Sequence, residues 1–102
     1  MRYAKRRDLN HTEIVSALRK AGFEVIDFGS VGHDIPDILA VKPLMDGLAY
    51  TCWVEVKSKQ GRLSEGQKRF QAIFEPKGEW YEGRDAEDTV VALQTLYLQR
   101  TK

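Results

Sequence analysis

The run Tyr50-Thr51-Cys52-Trp53-Val54-Glu55-Val56 constrains this chain more than any other stretch. Its β-branched and aromatic residues suit a pleated, half-buried surface and predict a strand. Side chains alternate across a strand, so Trp53, Glu55 and Lys57 share one face while Val54 and Val56 take the other. A carboxylate and an ammonium beside a tryptophan do not make an ordinary packing face. Something else in the fold has to meet them there.

The neighbouring segments follow one another tightly, with no internal repeat, low-complexity tract or linker. Ile14, Val15, Ala17, Leu18 and Ala21 recur at helical spacing and predict a helix over 10–21, stopped by Gly22. Residues 23–28 alternate towards a strand, and 29–34 read as a loop. Ile38 to Val41 is a short apolar run directly after Pro36 and Asp37, and proline is tolerated where a strand begins. Asp46-Gly47 supplies a hairpin signal that joins this run to a strand over 48–57. A second helix is predicted over 64–74, with Phe70, Ile73 and Phe74 on its apolar side, ended by Pro76 and Lys77-Gly78. Residues 79–82 can form a fourth strand, and Asp85 opens a last helix through Leu98. The order αβββαβα predicts an α/β fold with a mixed central sheet flanked by helices.

At 102 residues the chain reads as one domain, 1–102, that buries about two-thirds of its unfolded surface, and a homodimer is expected. With 42% hydrophobic and 30% charged residues, disorder is not expected. The single Cys52 excludes an internal disulfide and a thiolate zinc site, and fits a reducing, cytoplasmic compartment. No apolar run long enough for a signal peptide or a membrane span is present, so a soluble protein is expected. The net charge of +1 conceals a segregation along the chain. Residues 1–20 carry six cations against two acids, residues 57–69 five against one, and residues 75–88 six acids against two cations. Such segregation can build a basic face for a polyanion, although solvated surface charge has the same signature.

In hairpin register, Asp37 stands at the mouth of one strand and Glu55 with Lys57 near the end of its neighbour. Two carboxylates at one point repel, and burying either one without a partner is expensive. A divalent cation resolves the conflict. Mg²⁺ favours one or two carboxylates together with water and phosphate oxygens, and such sites leave positions open for a phosphodiester and an attacking water.

Ile35-Pro36-Asp37, then Glu55-Val56-Lys57, then Gly61-Arg62-Leu63-Ser64 and Gln67 resemble the signature of PD-(D/E)XK nucleases. More narrowly they resemble the VRR-NUC branch, whose small stand-alone members are found in phages and are similar to Holliday junction resolvases. The resemblance covers roughly residues 9–93 and implies a restriction-endonuclease-like αβββαβ core. It implies Asp37 and Glu55 as metal-binding carboxylates, with the backbone carbonyl of Val56 completing the protein's ligands. Lys57 matches the lysine that orients or activates the attacking water and offsets transition-state charge. Glu13 matches a first-helix acid that binds the metal through water, and Gln67 a glutamine reaching back toward the site. The branch usually has glycine, one residue, then Pro-Asp; here His33-Asp34-Ile35 separates Gly32 from Pro36, which lengthens the loop.

The expected activity is a Mg²⁺-dependent DNA endonuclease, with Mn²⁺ able to substitute, acting on branched DNA such as a four-way junction. Arg6, Arg7, Lys59, Arg62, Lys68 and Arg69 are expected to grip the DNA backbone without reading bases. The alternative is a catalytically inactive nucleic-acid-binding module of the same fold. Plainer roles exist for single residues. Glu55 and Lys57 can form a surface ion pair, Asp37 can shape a turn, and Trp53 can simply pack. Glu13 and Gln67 each close a capping-box pattern, with Asn10 and Ser64 as the caps. His11 and His33 lack the spacing of a zinc pair and read as ordinary exposed residues.

Overall fold

The computed structural model describes residues 2–101 apart from His33 and Lys59, with the backbone alone for residues 2–9. The order is α1 (Arg2–Lys20), β1 (Glu24–Asp27), β2 (Ile38–Pro43), β3 (Ala49–Val56), α2 (Glu65–Phe74), β4 (Trp80–Gly83) and α3 (Ala86–Arg100). The four strands lie in the order β1-β2-β3-β4. β1, β2 and β3 form an antiparallel meander, and β4 adds to β3 in parallel through the crossover helix α2. This is the mixed sheet flanked by helices that the sequence predicts, and it is compatible with a restriction-endonuclease-like fold.

The β2–β3 hairpin turns at Asp46 and Gly47, both with positive φ (67° and 75°). Leu44 N–H closes the loop onto the Leu48 carbonyl at 2.8 Å. The loop so closed has three residues, Met45 to Gly47, and Asp-Gly serves there because aspartate tolerates and glycine readily adopts the left-handed conformation. The hairpin sets Ile38 opposite Val54 and Ala40 opposite Cys52.

The alternation then sorts the faces. Ile38, Ala40, Tyr50, Cys52, Val54 and Val56 are all buried against Ile14, Val15 and Leu18 of α1 and Leu93 of α3. This layer is the main core. Burial pushes the Cys52 thiol up to about 12, so it stays a protonated, inert core residue. On the opposite face Trp53 sits among Phe28, Phe70 and Phe74, with ring centroids 5.8, 5.7 and 6.4 Å away. The tryptophan is therefore a packing residue that seats α2 on the sheet.

One boundary differs from the expected one. α1 begins at Arg2 rather than Asn10. Nothing between residues 2 and 9 breaks a helix, and Arg, Lys and Ala are among the good helix formers. Asn10 thus lies inside α1, and the expected capping box with Glu13 does not form.

Candidate active site

β2 and β3 bring Asp37 and Glu55 together. Ile38 pairs with Val54, so the next step of the register sets Asp37 across from Glu55 on the α2 face. The pairing ends here through a side chain. Asp37 Oδ2 accepts the Val56 N–H at 2.9 Å, and the Asp37 carbonyl accepts the Phe28 N–H at 2.7 Å. Asp37 is therefore tied to β3 by its carboxylate and to the end of β1 by its backbone. Both acids are buried, Asp37 at 4% and Glu55 at 2% exposure.

Lys57 follows β3, and its Nζ lies 3.9 Å from Glu55 Oε2. The Lys57 side chain is 18% exposed, far more open than Glu55, so the two do not form an exposed surface pair. Its backbone is held from two sides: Lys57 N–H donates to the Gly83 carbonyl at 3.0 Å, and the Asn10 side-chain amide donates to the Lys57 carbonyl at 3.4 Å. The second contact attaches α1 to the site.

Gln67 makes two sets of contacts at once. Ser64 Oγ accepts the Gln67 N–H, and Gln67 Oε1 accepts the Ser64 N–H at 2.8 Å, which completes the capping box of α2. The other end of the same amide, Nε2, donates to Glu55 Oε2 at 3.1 Å. Closing the helix start thus aims the amide at the buried carboxylate.

Glu13 is exposed on α1, one turn beyond Asn10. Among the described residues no group of three or more His, Cys, Asp or Glu is placed to hold a metal ion, so Glu13 does not join Asp37 and Glu55 in a direct cluster. Arg62, Lys68 and Arg69 are exposed around the start of α2, with Lys68 Nζ 3.7 Å from Glu65. The expected contacts at Arg6, Arg7 and Lys59, and any role of His33, lie outside the described residues.

Three features carry no signal in the sequence. The lengthened loop is fastened by Asp34, at φ 66°, whose Oδ1 accepts the Ser64 hydroxyl at 2.9 Å. Its carboxylate fills the space above Gly66, where a Cβ would stand 2.0 Å from Asp34 Oδ2. Asp34 therefore braces α2 against the loop that carries Asp37. His11 is also not an ordinary exposed residue: its ring is 14% exposed and lies 2.9 Å from Asp27 Oδ2. Burial alone would raise the Asp27 carboxyl, but the Gly29 N–H and the His11 imidazole hold it below its usual value. Finally, β4 sets Glu82 beside Glu55 in the parallel register, and Arg84 pairs with Glu82.

The donors gathered here are hard oxygens: two carboxylates on adjacent strands with the Val56 peptide beside them. Oxygen donors of this kind are the ones a hard divalent cation such as Mg²⁺ takes, and the thiol of Cys52 faces the opposite layer. No helix among the described residues is long and apolar enough to cross a membrane. No curated protein and no solved structure matches the chain. A family model described as the VRR-NUC domain matches residues 3–82. That span holds most of the chain, with Asp37, Glu55, Lys57 and Gln67 inside it, and the chain belongs to the VRR-NUC family of the PD-(D/E)XK nuclease superfamily.

Proposed function

We propose that this nuclease domain is a divalent-cation-dependent DNA endonuclease, with Mg²⁺ as the working ion and Mn²⁺ as a substitute. What supports the reading is the convergence of two buried carboxylates, Asp37 and Glu55, with Lys57 Nζ 3.9 Å from Glu55. Asp37, Glu55 and the Val56 carbonyl would hold the ion, with Glu13 reaching it through water. When bound, the ion would polarise the phosphate and lower the pKa of a coordinated water.

The chain's own residues do the rest. Lys57 orients or deprotonates the attacking water and offsets charge on the phosphate, and its greater exposure than Glu55 is consistent with that role. Gln67 holds Glu55 in place through its amide. Arg62, Lys68 and Arg69, with Arg6, Arg7 and Lys59, grip backbone phosphates, so affinity falls steeply with salt. The substrate is branched DNA, a four-way junction above all, cut by a homodimer, because paired strand cuts call for two symmetric sites. The reduced, buried Cys52 suits a cytoplasmic setting.

The test is direct. The purified protein is incubated with labelled four-way, flap and linear DNA in Mg²⁺, Mn²⁺ and EDTA, alongside Lys57→Ala. Cleavage that needs the ion, prefers the junction and disappears in Lys57→Ala while junction binding persists is expected. Full cleavage by Lys57→Ala, or cleavage undiminished in EDTA, overturns the assignment. Calorimetric titration with Mg²⁺ separates the active nuclease from an inactive DNA-binding module, which need bind no ion.

A further inference from the structure

Arg84 stands just past β4, outside the span of the family match. Its guanidinium is committed to three acceptors: Nη1 donates to the Ser58 carbonyl, and Nη2 donates to the Gly61 carbonyl at 2.9 Å and to the Glu82 carboxylate. Ser58 to Gly61 is the segment that leaves β3 directly after Lys57, so a residue just past the neighbouring edge strand fastens the loop that follows the site. Among the described residues the loop also closes on itself, with the Gly61 N–H donated to the Ser58 carbonyl at 3.1 Å. Arg84, Glu82 and Gly61 form one wall of an open groove that Arg62 and Lys68 also line. The groove lies on the β4 side of Glu55, since Glu82 is the register partner of Glu55, whereas Asp37 lies on the β2 side.

We infer that Arg84 is a positioning residue for DNA: by bridging Ser58, Gly61 and Glu82 it holds the Ser58 and Gly61 backbone so that Arg62, with Lys68, presents its charge to phosphates next to the one being cut. This rests on the nuclease reading above. Arginine suits the task because its planar fork serves several acceptors at fixed angles, while a lysine ammonium is one flexible point charge. The Glu82 carboxylate supplies the counter-charge that keeps the fork in the wall instead of on the substrate. Lys57 is held separately, through its N–H to Gly83, so loosening the loop weakens DNA capture more than the chemical step.

The experiment compares wild type, Arg84→Ala, Arg84→Lys and Glu82→Gln in junction cleavage, in DNA binding in EDTA and in amide hydrogen exchange at Gly61. In Arg84→Ala we expect faster Gly61 exchange, KM raised and EDTA-stage affinity weakened about tenfold, and kcat within about threefold of wild type. Arg84→Lys should resemble Arg84→Ala, because a single ammonium cannot bridge the three acceptors. Glu82→Gln, which keeps the arginine and both carbonyl contacts, should fall between them and wild type; it carries the test should Arg84→Ala fail to fold, and unchanged KM and exchange in it would then overturn the inference. Unaltered Gly61 exchange and KM in a folded Arg84→Ala protein would overturn it as well. Restoration of KM by lysine would do the same, since that outcome marks a plain charge acting on DNA. A wild-type protein that neither binds nor cleaves DNA removes the nuclease reading and the inference with it, whereas active wild type beside unaltered variants removes the inference alone.

Discussion

The Asp37 carboxylate takes the Val56 N–H at 2.9 Å and so occupies the place of the next strand hydrogen bond. One oxygen of a proposed metal ligand is thus also a structural acceptor. Removing the side chain leaves a buried N–H without that partner, at a cost of about 1–3 kcal/mol. Asparagine keeps an oxygen for Val56 but loses the charge. Asp37→Asn should therefore stay within about 1 kcal/mol of wild type in urea unfolding, while cleavage falls at least about a hundredfold. Asp37→Ala should lose both. Cleavage by Asp37→Asn within a few-fold of wild type would show that the carboxylate is there for the strand alone.

Gln67 divides in the same manner between the α2 cap and Glu55. Gln67→Ala removes both contacts and should destabilise by about 1 kcal/mol, the usual worth of such a cap. Gln67→Glu keeps a capping-box residue but sets a second acid against buried Glu55. Near neutral pH we expect Gln67→Glu to lose more activity than Gln67→Ala. Thermal melts and cleavage rates of the two variants decide it: equal activity would mean that the Glu55 contact carries no functional weight.

The features that sequence alone exposes are those encoded within a few residues. Asp46-Gly47 specifies its turn, Ser64 with Gln67 its cap, and Asp85 caps α3 by accepting the Asp88 N–H at 2.8 Å. The period-two pattern of β3 places Trp53, Glu55 and Lys57 on one face before any contact is known. What escapes reading is set by long-range geometry. Arg84 meets Ser58 across 26 positions and Asp34 meets Ser64 across 30, with no spacing rule to connect them. At Asn10 a local pattern misleads, because a good cap sequence inside a continuing helix is simply carried through, and its amide serves the Lys57 carbonyl instead.

The Asp27 carboxyl lies below its ordinary value of 3.8 because the Gly29 N–H and the His11 imidazole outweigh the effect of burial. A carboxyl depressed in the folded state adds stability that is fully present above the unfolded value and is lost as pH falls through the folded one. With the Asp27 side chain 49% exposed, the effect is a modest one. Melts of wild type and Asp27→Asn across pH 2 to 6 should show a gap in Tm that is open above about 4 and closes below it. A gap that is constant with pH would mean that the interaction does not depend on the charge of Asp27.

Gly66 and Asp34 are coupled through space. A Cβ at residue 66 would stand 2.0 Å from Asp34 Oδ2 and 2.8 Å from Asp34 Cβ, so the whole Asp34 side chain has to leave. Alanine is otherwise the better residue inside a helix, by about 1 kcal/mol. In wild type, Gly66→Ala should nonetheless destabilise by about 1–3 kcal/mol and slow cleavage, because the displaced loop carries Asp37. Asp34→Gly suits the positive φ at that position and clears the space, at the loss of the Ser64 hydrogen bond. In that background Gly66→Ala should become neutral or stabilising, a coupling of about 1–3 kcal/mol in a double-mutant cycle read by chemical denaturation. Additive effects would mean that the Asp34 carboxylate does not rest on Gly66, and that the long loop is held to α2 by some other contact.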